Sequence, residues 1–227
     1  IISKLQYAGH QYDDISLDLD SRQGIINANI DIDDHQSLLT AQVTYNQHTT
    51  ELQLEGQLHN FSPHALNLTP HHADETYSMA VTTHTTGTTL NTLTGSVEVH
   101  DFQLITPSGT YPLNHLTVIV SNENQEKSII LHSDMAEGTM TGHIDLNHIV
   151  SDMQHLLAQS LPAIASTQSA TPHNNFDIDL TVTDTPILRH LLQTDYILTS
   201  PLNLAGTVDA IRGHGARMAS TGISRRR

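Results

Sequence analysis

Alternation of apolar and polar residues runs through most of this 227-residue chain and constrains it more than any other feature. A strand turns successive side chains to opposite faces, so a period of two marks strands with one apolar face. From Tyr12 to Asp20, Ile15, Leu17 and Leu19 fall on one side and Asp14, Ser16, Asp18 and Asp20 on the other. Arg22-Gln23-Gly24 reads as a turn, after which Ile26, Ala28, Ile30 and Ile32 alternate with Asn27, Asn29, Asp31 and Asp33. Two such runs joined by a short turn predict an antiparallel hairpin. Asp33-Asp34-His35-Gln36 forms the next turn, followed by Leu39, Ala41, Val43 and Tyr45 and then by Leu52, Leu54, Gly56 and Leu58. The opening third reads as a meander.

Ser62-Pro63-His64 breaks the run, and further strands are expected around residues 79–81, 97–104, 116–121, 129–133, 140–146, 176–182 and 204–209. Two stretches carry helical signals instead. Between residues 147 and 161, Ile149, Val150, Met153, Leu156, Leu157 and Leu161 recur at helical spacing, and Pro162 ends the stripe. Thr185-Pro186 places a cap residue before a proline at the first helical position. The expected organisation is a β-rich repeat segment over 1–161 that ends in a short helix, an Ala/Ser/Thr/Pro linker over 162–175, and the start of a next β repeat over 176–211. A basic tail over 212–227 reads as disordered or non-native and is set aside.

A short phrase recurs: Leu54-Glu55-Gly56-Gln57-Leu58, Leu93-Thr94-Gly95-Ser96-Val97-Glu98-Val99, Met140-Thr141-Gly142-His143-Ile144-Asp145-Leu146 and Leu204-Ala205-Gly206-Thr207-Val208-Asp209. Its glycines are unevenly spaced, which argues for hairpin units with variable insertions rather than a tight solenoid. Each glycine shares the face of its apolar neighbours, where a missing Cβ opens a bulge, a bend or room for an opposing group.

Composition removes several functional classes. With no cysteine there is neither a disulfide framework nor a thiol nucleophile. Acidic residues outnumber basic ones 24 to 9, and only Lys4, Arg22, Lys127 and Arg189 precede the tail, so a nucleic-acid backbone is excluded as a partner of the body. The 17 histidines are dispersed; His71-His72 with Asp74 is the densest group, yet no His-Glu-x-x-His or comparable ligand spacing occurs. Paired carboxylates such as Asp18 with Asp20 and Asp177 with Asp179 read as solubilising charges on outer strand faces. There is no Gly-x-Ser-x-Gly elbow, and Gly213-His214-Gly215 lacks the strand-to-helix context of a dinucleotide site. No catalytic residue, metal site or cofactor is expected, and the chain is not read as an enzyme.

What remains is the apolar face, built from Ile, Leu and Val over about a dozen strands. Two such faces bury each other in a closed sandwich, whereas faces held apart form an aliphatic trough for acyl chains. Alternation leaves both open.

In the order of its motifs the chain resembles the TamB family of translocation and assembly modules, within the AsmA-like group, in forms like those of Bacteroidetes. The matching residues are Tyr7-x-Gly9-His10-x-Tyr12-Asp13-Asp14-Ile15, His59-Asn60-Phe61-x-Pro63-x-Ala65-Leu66-Asn67-Leu68, Leu93-Thr94-Gly95 leading into Val97 to Phe102, and Ser133-Asp134 ahead of Thr141-Gly142-His143-Ile144. The phrases Phe176 to Leu180 and Pro201 to Gly206 look like a next repeat, so the resemblance covers residues 5–211. It implies an elongated curved sheet or taco-like groove of repeated antiparallel β units, in the periplasmic part of an envelope protein anchored in the inner membrane. It further implies non-enzymatic phospholipid transport between the two membranes and outer-membrane biogenesis. Expected partners are phospholipid acyl chains, outer-membrane assembly proteins and adjacent repeats of the same parent chain, of which this would be a central piece. The lining candidates are Leu54, Leu58, Val97, Val99, Ile144, Leu146, Leu204 and Val208. The alternative reading is a closed-core β-rich structural or binding module of the periplasm or cell surface.

Overall fold

The computed structural model describes residues 2–7, 9–34, 37–69, 74–124, 126–149, 152, 173–191, 196–209 and 223–225. It is all-β and antiparallel, with one short α-helix of defined extent and a single 3-10 turn, Leu90–Thr92, among the described residues. The chain divides into two compact units, residues 1–86 with 96–115 and residues 87–95 with 116–227.

The first unit is a meander of β1 (Ile2–Tyr7), β2 (His10–Arg22), β3 (Ile25–Asp33), β4 (Leu38–Asn46), β5 (Glu51–Phe61), β6 (Thr76–Thr86) and most of β7 (Thr94–Thr106). Neighbours in the sheet are neighbours in sequence, and β1 is the outermost strand at one end among the described residues. The predicted β2–β3 hairpin turns on Gln23 and Gly24, with φ of 49° and 79°. Positive φ at both central residues is the primed turn whose twist matches the flanking strands. A Cβ at Gly24 would meet only the exposed His48 ring, which can swing aside, so the positive φ is what favours glycine here. On β5 the register shifts between Leu58 and Phe61, where Asn60 has φ of 51°; asparagine tolerates this left-handed bulge conformation.

Register turns the alternation into two continuous faces. Leu17, Ile30, Ala41, Gly56 and Val81 stand opposite one another across β2 to β6, as do Leu19, Ala28, Val43, Leu54 and Thr83 in the next row. The other face carries rows such as Asp18, Asn29, Gln42, Glu55 and Thr82.

The second unit orders β8 (Gly109–Glu123), through its Leu116–Glu123 part, with β9 (Glu126–Ser133), β10 (Ala136–His143), β11 (Asn175–Val182) and β13 (Leu202–Asp209), and β13 is the outermost strand among the described residues. The helix α1 (Pro186–Leu191) starts as the sequence predicts. Thr185 Oγ1 accepts from Leu188 N at 3.2 Å, its carbonyl accepts from Arg189 N, and Ile187 is buried. A separate two-stranded pair joins β12 (Tyr196–Leu198) to β14 (Ile223–Arg225), so three residues of the basic tail set aside above form a strand. The expected helix over 147–161 is described only at its start, where Ile149 and Asp152 are helical and Asp152 N donates to His148 O at 3.0 Å. Its remainder and most of the expected linker lie outside the described residues.

The strand expected at 140–146 is instead β10, which begins earlier and stops at His143. Asn174 ends it. Its side-chain oxygen accepts from Asp145 N and its amide donates to Asp145 O, taking the backbone groups that would otherwise extend the ladder. Freed from the sheet, Ile144, Leu146 and Ile149 pack against Val120, Ile129, Phe176 and Ile178. Gly142 makes room for this core: its φ is 149°, and a Cβ there would strike the Asn175 carbonyl and Phe176 Cα of β11.

Candidate functional site

The candidate site is the apolar face of the first unit. Most of its side chains are half-buried, Leu58 and Thr85 are buried, and at β2 the face is open, with Leu17 52% and Leu19 58% exposed. One end is structured by the 62–68 turn, where Leu66 N donates to Ser62 O, Leu68 N donates to Pro63 O, and the Tyr12 hydroxyl donates to Leu66 O at 2.8 Å. Leu66 itself is buried. Beside it, the buried Asp34 carboxylate meets His10 Nε2 at 2.7 Å and accepts from Asp13 N. Tyr77, across from Phe61 and 6.3 Å from the Phe102 ring, donates to Glu75; burial first and that carboxylate second push its hydroxyl up to about 12.

The opposite face of the same strands holds a shallow depression of about 510 Å³, lined by Asn29, Asp31, Thr40, Gln42, Glu55 and Gln57 among others. Amides, hydroxyls and carboxylates make this side a hydrated, negatively charged surface. At its end Glu51 bonds Gln53 and His84, and these bonds, the Gln53 amide foremost, lower its pKa.

In the second unit the corresponding face is closed. Leu204 has no exposed surface, and Phe176 and Ile178 are 2% and 3% exposed. Two polar clusters pin the cover. Asp152 Oδ2 accepts from His173 N, Asn174 N and Asn174 Nδ2 at 2.8 to 3.0 Å, with both Asp152 and Asn174 buried. The Lys127 ammonium is buried with no carboxylate partner among the described residues, and donates to Asn91 O, Leu93 O and Asn122 Oδ1 at 3.0 to 3.5 Å. Burial lowers its pKa. Asn91 also reaches the cover, donating to Asp145 Oδ1 and accepting from Leu146 N; its bond to Asp145 is the foremost cause of that carboxylate's lowered pKa.

The lining candidates therefore separate. Leu54 is half-buried on the open face, Leu58 is 9% exposed farther along β5, and Val97 and Val99 are half-buried on β7. Ile144 and Leu146 belong to the cover of the second unit, and Leu204, opposite Leu180 in the β11–β13 register, has no exposed surface. Val208 pairs with Phe176 in the register of β11 and β13. Choosing candidates from the glycine phrase passed over Leu17, Leu19, Ile30 and Val43, although the alternation had already put them on one side; the full period, not the phrase, was the signal. Among the described residues no three His, Asp or Glu side chains form a metal-ligand group. No helix among them is long and apolar enough to cross a membrane.

No known protein family, curated protein or solved structure matches the chain.

Proposed function

We propose that the first unit shields acyl chains on the apolar face of β2 to β6, as a non-enzymatic segment of an envelope protein that carries phospholipid between membranes. The observation that carries this reading is the in-register apolar face spanning five strands, whose aliphatic side chains stay partly open to solvent. Contiguous exposed apolar surface of this kind marks a site of interaction rather than an ordinary solvated face. Sealing it against an alkyl chain returns about 25 cal/mol for each Å² removed from water, so a bound chain covering a few leucines has a substantial driving force. Headgroups would lie at the end of the strands, beyond the aliphatic rows. Periplasmic location and a role with outer-membrane assembly proteins belong to the same proposal.

The test is native mass spectrometry of the full chain purified from a membrane-containing host, with extraction and identification of any lipid carried. Wild type is expected to retain phospholipid, and Leu17→Asp with Val43→Asp to lose it while circular dichroism still reports a folded β protein. A folded wild type that carries no lipid and takes none from vesicles overturns the reading. The second reading, a closed-core structural module, is favoured by one observation, the sealed core around Leu204 and Phe176 in the second unit.

A further inference from the structure

The charge around the open face narrows what it accepts. The first unit contains thirteen carboxylates and two basic side chains, a formal charge of −11 with neutral histidines. Neither basic side chain is left without an acid beside it. Arg22 Nε donates to Asp20 Oδ1 at 3.1 Å, and Lys4 stands opposite Asp13 in the β1–β2 register. Neither belongs to the aliphatic rows. The row that ends the apolar face, Ser21, Ile26, Tyr45, Leu52 and Thr85, offers hydroxyls and aliphatic groups but no cation. On the other face, three to five residues farther along the same strands, lie Asp18, Asp31 and Glu55. With about 3.3 Å per residue along the strand and a sheet about 10 Å thick, those carboxylates lie about 15 to 20 Å from a headgroup at the strand ends, inside the screening length of about 30 Å at 0.01 M salt.

We propose that the open face selects amphiphiles by charge, taking acyl chains with a zwitterionic headgroup and rejecting those with a net negative one. This rests on the acyl-chain reading above and adds its headgroup class. A zwitterion brings its own cation, which the carboxylates attract, and its phosphate needs no protein ammonium. An anionic headgroup enters a negative field with no lysine or arginine in the aliphatic rows to receive it.

Binding of lauroyl lysophosphatidylcholine, lauroyl lysophosphatidylglycerol and monolauroylglycerol to the full chain is measured by calorimetry at neutral pH, each below its micelle concentration. The zwitterionic and uncharged probes are expected to bind at least about tenfold tighter than the anionic one, a difference of about 1.4 kcal/mol. Raising ionic strength from about 0.01 M to about 1 M, which cuts the screening length from about 30 Å to about 3 Å, is expected to close that gap. The combined Asp18→Asn, Asp31→Asn and Glu55→Gln variant leaves the apolar rows untouched and is expected to bind the anionic probe several-fold tighter, with the uncharged probe unchanged. Equal binding of all three probes, or preference for the anionic one, overturns the headgroup inference and leaves the acyl-chain reading intact. Binding of none overturns the acyl-chain reading and this inference with it.

Discussion

The two units are built from the same alternating strands and differ in what lies on the apolar side. In the first, Leu17 and Leu19 are more than half exposed; in the second, Leu204, Phe176 and Ile178 are sealed. The difference is made by a few polar side chains rather than by hydrophobicity. Asn174 withdraws Asp145 from the ladder, Asp152 holds the backbone at His173 and Asn174, and Ile144, Leu146 and Ile149 pack over the sheet. Covering a sheet face therefore depends on where hydrogen bonds stop the strand, and strands of equal apolar content end up with different accessibility.

The contrast is broken most directly by truncation. Phe176→Ala is expected to cost about 3 to 5 kcal/mol and Leu204→Ala about 2 to 5 kcal/mol, whereas Leu17→Ala should cost less than about 1 kcal/mol because its side chain is already half in water. Urea unfolding read by circular dichroism checks this, since a similar cost at Leu17 would mean the first face is covered too. Next, Asp152→Ala leaves the amides of His173 and Asn174 without their acceptor and should cost about 2 to 3 kcal/mol. Hydrogen exchange at those two amides should rise with it, and unchanged protection would show that the carboxylate does not hold the cover. Gly142→Ala, which forces a side chain into positive φ and against β11, should cost about 1 to 3 kcal/mol. Thermal unfolding of that variant measures the loss.

The smallest effect separates the units by pH. Lys127 has a lowered folded pKa, so its contribution to stability is full above the unfolded value of about 10.4 and is lost as pH falls through the folded one. Tyr77 has a folded pKa raised to about 12 from 10.0, so its contribution is full below 10 and is lost as pH rises through about 12. Stability of the second unit should therefore increase towards pH 10, and that of the first should decrease beyond it. Lys127→Met and Tyr77→Phe should each flatten its own slope, measured by hydrogen exchange resolved to each unit and by ultraviolet titration of the phenol. A slope unchanged by Lys127→Met would assign the alkaline gain to another group.

Much of this architecture was legible residue by residue. The hairpin at Gln23-Gly24, the meander to Leu58 and the Thr185-capped helix follow from local rules, because turn chemistry and period two act within a few residues. The strand β1 was missed, since Ile2 to Tyr7 lacks clean alternation. The end of β10 was misplaced because its terminator, Asn174, lies 29 residues away from the backbone it captures. Ile144 and Leu146 continue the alternation of a strand in sequence and serve as its lid in space. The candidate site was half legible: the face was visible in the period, but the glycine phrase led to Leu204 rather than to Leu17.

By itself, then, the sequence determined that this protein is a set of antiparallel strands with one aliphatic and one acidic face, because side-chain direction along a strand is a local property of the backbone. Only the tertiary structure decided which stretch of the aliphatic face stays accessible. Burial depends on a covering segment, Ile144 to Ile149, that is placed by the hydrogen bonds of Asn174, Asp152 and Asn91, whose partners no periodicity reveals.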